Sequence, residues 1–417
     1  MICDLVSGDG EGIVTERIYH RDSFVLEFGA RISELVVADT RTGIVLDRTA
    51  FYPTSGGQVF DTGVIDCGES NVRVVEVTED DSGRIVHYLE PNAKAVLEVG
   101  ATVHGAVDAE RRRDHMQQHS GQHILSAAFE KLFKIPTVSF HMGDESCTID
   151  LDTKALTEQQ VREAERDANR VTLEDRPVAV RSATVEQARS MGVRKIPDHV
   201  EGELRLIDME GYDLNACGGT HVARTGQVGA ILLRKSEKVK QGFRVEFVCG
   251  GRALRVARKD FEALAEAAAL FTTQIWQVPE LIRKSQEELK AAAKERKRLN
   301  EEIAELMAKE IVVSATKTND HKVIARMFDD RDLTFVKLLA QKITAAAPSV
   351  VFLGSTMGQP GVVFAQTQGL PNDMGALMKE ALVTLGGRGG GNRDLAQGGA
   401  ADSGKIAQVI EDVAKRV

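Results

Sequence analysis

Residues 110–133, ERRRDHMQQHSGQHILSAAFEKLF, change the period of the chain and decide how the rest is read. Met116, Ile124, Leu125, Ala128, Phe129 and Leu132 fall near helical spacing, which predicts a helix. His119 and His123 sit four apart on it, so both imidazoles project from one face. A helix offers two nitrogen ligands to one ion in this way. His115 is also four residues from His119, so a 115/119 pair meets the same spacing, and His141 is a spare imidazole. Ser120 follows His119, so the metalloprotease HExxH helix, with its glutamate base, is absent.

Well downstream lies Cys217-Gly-Gly-Thr-His221. A thiolate and an imidazole four apart, around two glycines, can close on the same ion. Three nitrogens and one sulfur suit Zn²⁺, and the sulfur disfavours Mg²⁺ or Ca²⁺. Each half alone is weak, because a lone HxxxH pair is more often structural or solvated. Together they make a complete ligand set for one ion per chain. Four protein ligands also describe a closed, structural zinc, since catalytic zinc usually keeps a position for water or substrate.

Upstream, residues 14–110 alternate apolar and polar in short runs such as SFVLEF, ISELVVAD, GIVLDR, VRVVEV and RIVHYL. Short strands at this spacing predict a small barrel or sandwich. Around Cys217, LRLIDME and GAILLRKSEKV read as strands, and Asn169–Glu174 and Ser182–Ser190 as further α/β material. From about 252 the composition shifts to Ala, Glu, Lys, Arg and Leu. Ile282, Leu289 and Ile303 repeat by sevens, with Arg296 breaking the series, and Ala292, Leu299 and Leu306 form a companion row. That pattern reads as a coiled-coil or helical-hairpin seam, or as one long amphipathic helix packed on its own chain. After about 311, KEIVVSA, HKVIARMF, SVVFLGS and PGVVFAQT are strand candidates with helical stretches between them, an α/β pattern. The chain then enters a glycine-rich loop, GGRGGGNRDLAQGGA (386–400).

The chain of 417 residues, 42% hydrophobic and 28% charged, has the composition of a soluble protein of two or three domains. No apolar run is long enough to span a bilayer, and the start lacks a secretory signal, so a cytoplasmic location and no membrane partner are expected. Five cysteines argue against a disulfide framework and for free thiols or a metal ligand. The net charge of −9 disfavours bulk nucleic-acid binding without excluding a local basic patch.

The helix HMQQHSGQHILSAAFE and the segment CGGTHVARTGQVG resemble the editing domain of alanyl-tRNA synthetases, and more closely the free-standing editing proteins called AlaX. TAFYPTSGGQVFDTG (49–63) is similar to the glycine-rich motif in the barrel that precedes that domain. GGRGGGNRDLAQGGA resembles the C-terminal DHH-associated domain of the long AlaX form. The resemblance covers nearly the whole chain and implies an α+β architecture in four parts. These are an N-terminal β-barrel (1–108), an α/β zinc editing core (109–250), a helical coiled-coil segment (251–311) and a C-terminal α/β DHH-associated, tRNA-binding-like domain (312–417). It implies zinc ligands at His119, His123, Cys217 and His221, which sets aside His115. It places Gly56, Gly57 and Gln58 near the pocket, in a motif linked to telling serine from alanine. The segment TVSFHMG (137–143) corresponds to the strand lining the pocket, with Phe140 or His141 where synthetases often carry a polar residue.

The resemblance implies a hydrolase acting in trans on mischarged alanine tRNA, Ser-tRNA or Gly-tRNA. No adenylating domain precedes residue 1, so the chain is not expected to activate alanine. A pocket cannot strongly reject an isostere that adds a hydroxyl, nor a smaller analogue, which makes serine and glycine natural errors at an alanine site. Gln58, His141 and Thr220 are candidates for catalytic hydrogen bonds, although a threonine in a turn often bonds its own backbone. Arg111, Arg112 and Arg113, with Arg388 and Arg393 in the glycine loop, are candidate tRNA contacts, because Arg neutralises phosphate. The helical segment or the C-terminal domain would support a homodimer. Competing readings are a threonyl-type editing domain, opposed by FYPTSGGQ, and a phosphoesterase, opposed by the lack of an Asp-His-His motif. A non-catalytic tRNA-binding module with a structural zinc is the third.

Overall fold

Alternation along the N-terminal strands closes them into a barrel. The computed structural model describes all residues except 1–14, 39–40, 69, 92–96, 197–201 and 319. Strands β1 (Glu27–Ala38), β2 (Arg41–Leu46), β3 (Gly63–Asp66), β4 (Asn71–Glu79), β5 (Ile85–Leu89) and β6 (Thr102–Val107) close in the order β1-β2-β5-β4-β3-β6. Inward positions carry Ile32, Ile44, Leu46, Ile65, Val72, Val74, Ile85 and Val103. Along β4 the register against β5 shifts between Val74 and Glu76, so Val77 instead of Glu76 turns inward. The sandwich alternative is thereby excluded for this segment.

The barrel runs straight into helix α1 (Ala109–Phe133), and the expected helix lies within one residue of the observed one. Asp108 caps it by accepting from the N–H groups of Glu110 and Arg111, and Lys134 ends it in the left-handed conformation. After α1 come β7 (Thr137–Met142), β8 (Cys147–Leu151), α2 (Glu158–Leu173), β9 (Val178–Thr184), α3 (Val185–Ser190), β10 (Glu203–Met209), β11 (Asp213–Ala216), β12 (Ile231–Val239) and β13 (Gly242–Cys249). They form a four-stranded sheet, β12-β13-β8-β7, and a three-stranded sheet, β9-β10-β11. Helix α1 is buried almost all round from Gln118 to Phe129, polar residues included. The expected strands on either side of Cys217 are β10 and β12.

Arg112 anchors α1 to the barrel. It is 1% exposed, and its guanidinium donates to Asp61 Oδ2 (2.5 and 3.1 Å), Ser23 O (2.8 Å) and Ala50 O (2.5 Å). The expectation that Arg112 touches tRNA is therefore corrected: a guanidinium with these partners cannot reach a phosphate. Removing one member of such a buried pair costs about 3–5 kcal/mol.

The chain divides into two compact units, Met1–Glu266 and Ala267–Val417. Helix α4 (Gly250–Leu270) crosses that boundary. The second unit holds α5 (Val278–Ser314), β14 (His321–Asp332), α6 (Leu333–Ala346), β15 (Ser349–Met357), β16 (Gly361–Gln366), α7 (Met374–Leu385), β17 (Gly389–Gly391), β18 (Leu395–Gly399) and α8 (Ile406–Ala414). Its strands run in the order β14-β15-β16-β18-β17, with the two-residue strand Lys317–Thr318 at the β14 edge and with β14 and β15 parallel and joined through α6, the expected α/β pattern. One core lies under α5 and α6 and another under α7 and α8. The glycine-rich stretch is not the loop expected of it: it forms the antiparallel pair β17–β18. Glycines without side chains let these two backbones lie close together at the sheet edge. Helix α5 buries Ala304, Ala308 and Ile311, while the heptad residues Leu289 (68%) and Leu306 (67%) stay exposed.

Candidate metal centre and its cavity

Four ligand atoms converge from two distant segments. Donor atoms of His119, His123, Cys217 and His221 all lie within 4.8 Å of one another. Cys217 Sγ stands 3.3 Å from His119 Nε2 and 3.4 Å from His221 Nε2. A tetrahedron with ligands at roughly 2.0–2.3 Å has edges of this length, so the set fits Zn²⁺ in size and chemistry. The three histidines are buried and Cys217 is half-exposed toward the cavity. His115 lies elsewhere: its Nδ1 faces Asp61 Oδ1 at 3.8 Å, and burial pushes its pKa down to about 4.

Each ligating imidazole has a partner behind it. His119 Nδ1 lies 2.6 Å from Gln58 Oε1, His123 Nδ1 3.3 Å from Asp213 Oδ2, and His221 Nδ1 3.1 Å from Ser120 Oγ. These partners hold the proton on Nδ1 and leave Nε2 for the ion. Asp213 is itself gripped by Arg194, whose Nε and Nη2 donate to it at 2.8 and 3.1 Å. Burial would raise the Asp213 pKa, but His123 and Arg194 outweigh it and hold the carboxyl down at about 2. Burial likewise opposes ionisation of the Cys217 thiol, yet the surrounding imidazoles draw its pKa well below the usual value. The protein thus presents a thiolate to the site.

The Cys217–His221 loop is fixed group by group. Arg205 on β10 donates through Nη1 to Cys217 O (2.6 Å) and Gly219 O (3.0 Å), and through Nε to His20 O (2.9 Å). The N–H of Gly219 points at Cys217 Sγ (3.3 Å), that of Thr220 donates to Gln58 Oε1 (3.1 Å) and that of His221 to Ser23 Oγ (3.2 Å). A Cβ on Gly219 would sit 2.1 Å from His119 Cε1, so the loop touches the ring only because that residue is glycine.

A cavity of about 380 Å³ opens on this centre. Tyr52, Ser55 and Gly56 of the barrel line one side, Thr137–Phe140 another, and Arg194, Lys195 and Asn215 a third. Gly57 (φ +83°) turns the barrel loop against the carbonyl of Phe140, 2.4 Å from where a Cβ would be.

The candidate residues separate on this geometry. The four metal candidates come together, and Gly56 lines the cavity. The three catalytic candidates do not line it. Gln58 is fully buried, and its amide is occupied by His119 and Thr220, donating to Thr220 Oγ1 at 2.9 Å. Thr220 is buried with it, so both support the ligands instead of reaching substrate. His141 is exposed beside Phe140, whose ring packs on His119; successive strand residues face opposite ways, so His141 turns outward. Arg111 and Arg113 line a separate open cleft of about 870 Å³ with Arg252 and Arg255. Arg388 and Arg393 are exposed on either side of β17 in the second unit. Sequence reasoning missed Asp213, Ser120, Arg194, Lys195 and Arg205. Ser120 and Asp213 had a signal, being polar residues close in sequence to ligands. The three cations had none, since only the fold brings them to the site.

The family model for class II (A) tRNA synthetases matches residues 20–111, and that for the threonyl and alanyl tRNA synthetase second additional domain matches residues 204–245. The chain is 30% identical over 390 residues to the alanyl-tRNA editing protein AlaX-L of Pyrococcus horikoshii, covering 92% of this chain and 94% of that protein. It is 30% identical over 412 residues to the alanine–tRNA ligase of Pyrococcus abyssi, covering 96% of this chain but only 43% of the ligase. The C-Ala domain of Aquifex aeolicus alanyl-tRNA synthetase is similar at 22% identity and a TM-score of 0.23, over 24% of this chain and 96% of that one.

Proposed function

The chain belongs to the AlaX-L family of alanyl-tRNA editing proteins, and from that premise we propose that it hydrolyses the ester joining a wrong amino acid to alanine tRNA. Serine is the expected target and glycine the second, removed in trans in the cytoplasm. The observation that carries this reading is the convergence of four ligand atoms within 4.8 Å, with His119, His123 and Cys217 lining one cavity.

A Zn²⁺ held by His119, His123, Cys217 and His221 would supply Lewis acidity toward the aminoacyl group. Gln58, Asp213 and Ser120 orient the three imidazoles from behind. Arg205 holds the loop carbonyls, and Phe140 covers His119 from the apolar side. Gln122 and Thr137 both donate to Ser126 Oγ, at 2.8 and 2.7 Å, and stand at the cavity wall as a polar pair against which a serine hydroxyl fits. Alanine would offer this pair no hydroxyl, and reading that hydroxyl is the discrimination the reaction requires. In this reading Arg111 and Arg113, and separately Arg388 and Arg393, contact tRNA phosphates.

One observation favours the second reading, a tRNA-binding module with a structural metal: four protein donors already fill a tetrahedron. Deacylation of serine-, glycine- and alanine-charged alanine tRNA separates the two. Wild type with measured zinc should release serine and spare alanine, and Cys217→Ala should lose both metal and activity. A zinc-loaded wild type that releases nothing leaves only the binding module.

A further inference from the structure

The cavity wall carries two basic residues, Arg194 and Lys195. Arg194 is pinned by its N–H to Leu214 O (2.8 Å) and Lys195 by its N–H to Asn215 Oδ1 (3.1 Å), on the strand that leads into Cys217. Arg194 is occupied with Asp213. Lys195 is exposed and makes no ion pair among the described residues. Among the described residues no carboxylate lines the cavity, whereas both of these cations do. A metal site of three neutral imidazoles and one thiolate around Zn²⁺ adds a further positive charge. The field inside is therefore one that draws an anion.

An ester on a terminal ribose places one anion nearby, the phosphodiester on the 5′ side of the same sugar. We propose that Lys195 is the phosphate subsite of this cavity, receiving the phosphodiester that joins the terminal nucleoside of an acylated RNA to its neighbour. The subsite rests on the reading of the cavity as a deacylation site, and it commits the metal and Lys195 to opposite ends of one aminoacyl nucleotide. Lysine suits the task, because a flexible point charge follows a phosphate through substrate entry and release without a fixed two-point geometry. Arg194, held by the carboxylate behind His123, keeps the neighbouring backbone in place.

The test is a two-by-two binding measurement by calorimetry on full-length, zinc-loaded protein. The ligands are non-hydrolysable 3′-seryl-amido-adenosine with and without a 5′-phosphate; the proteins are wild type and Lys195→Ala. Wild type should bind the phosphorylated ligand about tenfold more tightly, and Lys195→Ala should lose that gain while binding the unphosphorylated ligand as wild type does. Lys195→Arg should restore it. No gain from the phosphate in wild type, or a gain that survives in Lys195→Ala, overturns the subsite. Because the ligands cannot be hydrolysed, this outcome is independent of whether the wild type deacylates tRNA, and failure of the editing reading shows only in the deacylation assay.

Discussion

Gly218 and Gly219 are indistinguishable in the sequence but differ in what a methyl group would meet. At Gly219 it would lie 2.1 Å from the His119 ring and 3.0 Å from Gln58 Oε1, which holds that ring; at Gly218 it would lie 3.7 Å from His20 Nε2, an ordinary contact. Gly219→Ala should therefore displace His119 and empty the site, while Gly218→Ala keeps its zinc; metal content after gel filtration checks both. The groups behind the ligands carry a graded version of this prediction. Asp213→Asn should weaken zinc binding about 10–100-fold, the usual effect of losing a ligand's supporting carboxylate, as read by competition with a chromophoric chelator. Arg205→Met, which removes two bonds to loop carbonyls, should fall in the same range, with Arg205→Lys between it and wild type. These residues also mark where reading the sequence stops. The four ligands were legible because their chemistry is carried by residue type and spacing. The role of Gln58 was not, because glutamine is equally suited to touch substrate or to hold a ligand, and only its complete burial against His119 and Thr220 decides between them.

Among the elements, the barrel strands and α1 were legible for the same reason: period two and helical spacing are direct records of which side chains face a core. The hairpin β17–β18 was not, since glycine leaves no periodicity and reads as loop whether or not its backbone is paired. Barrel closure was also beyond the alternation itself, which serves a sandwich equally well. One buried side chain gives the barrel a testable pH response. His87 on β5 is fully buried, bonded to Thr49 Oγ1 (2.8 Å) and Ile44 O (3.2 Å), and burial pushes its pKa down from 6.5 to about 4. Its folded pKa lies below the unfolded one, so the unfolded chain binds the extra proton first. Its stability contribution is complete above about pH 6.5 and is lost as pH falls from there toward 4, by up to about 3 kcal/mol across that window. His20 and His115 titrate in the same direction, also through burial, so the wild-type slope contains all three. His87→Gln should lower stability at pH 7.5 yet flatten the decline between pH 6.5 and 4.5, measured by thermal melts across that range. An unchanged slope would mean that His87 stays neutral in the unfolded chain as well, or that it titrates in both states alike.

At the scale of the whole molecule, charge and metal act on different parts. The net charge of −9 sets an average that repels RNA, so any attraction comes from local fields such as the one over the metal cavity. Such contacts make binding salt-sensitive, and affinities compared between variants must share one ionic strength. The division into Met1–Glu266 and Ala267–Val417 separates the consequences of metal binding as well. All four ligands, their supporting residues and the buried Arg112–Asp61 pair belong to the first unit. The second unit has its own cores on the two faces of its sheet and supplies none of the four ligands. A ligand that binds only the folded state raises stability by RT ln(1 + [L]/Kd), roughly 4 kcal/mol at a thousandfold excess over Kd. The gain applies only to the unit whose unfolding releases the ion. Calorimetry of the full chain should therefore resolve two transitions. Stripping zinc with a strong chelator should move one of them down by several degrees and leave the other within error. Restoring zinc should return it, and Cys217→Ala should show the lowered transition whether or not zinc is added. A single transition that shifts as one would mean that the units unfold together, and the stability of each could then no longer be assigned to its own core.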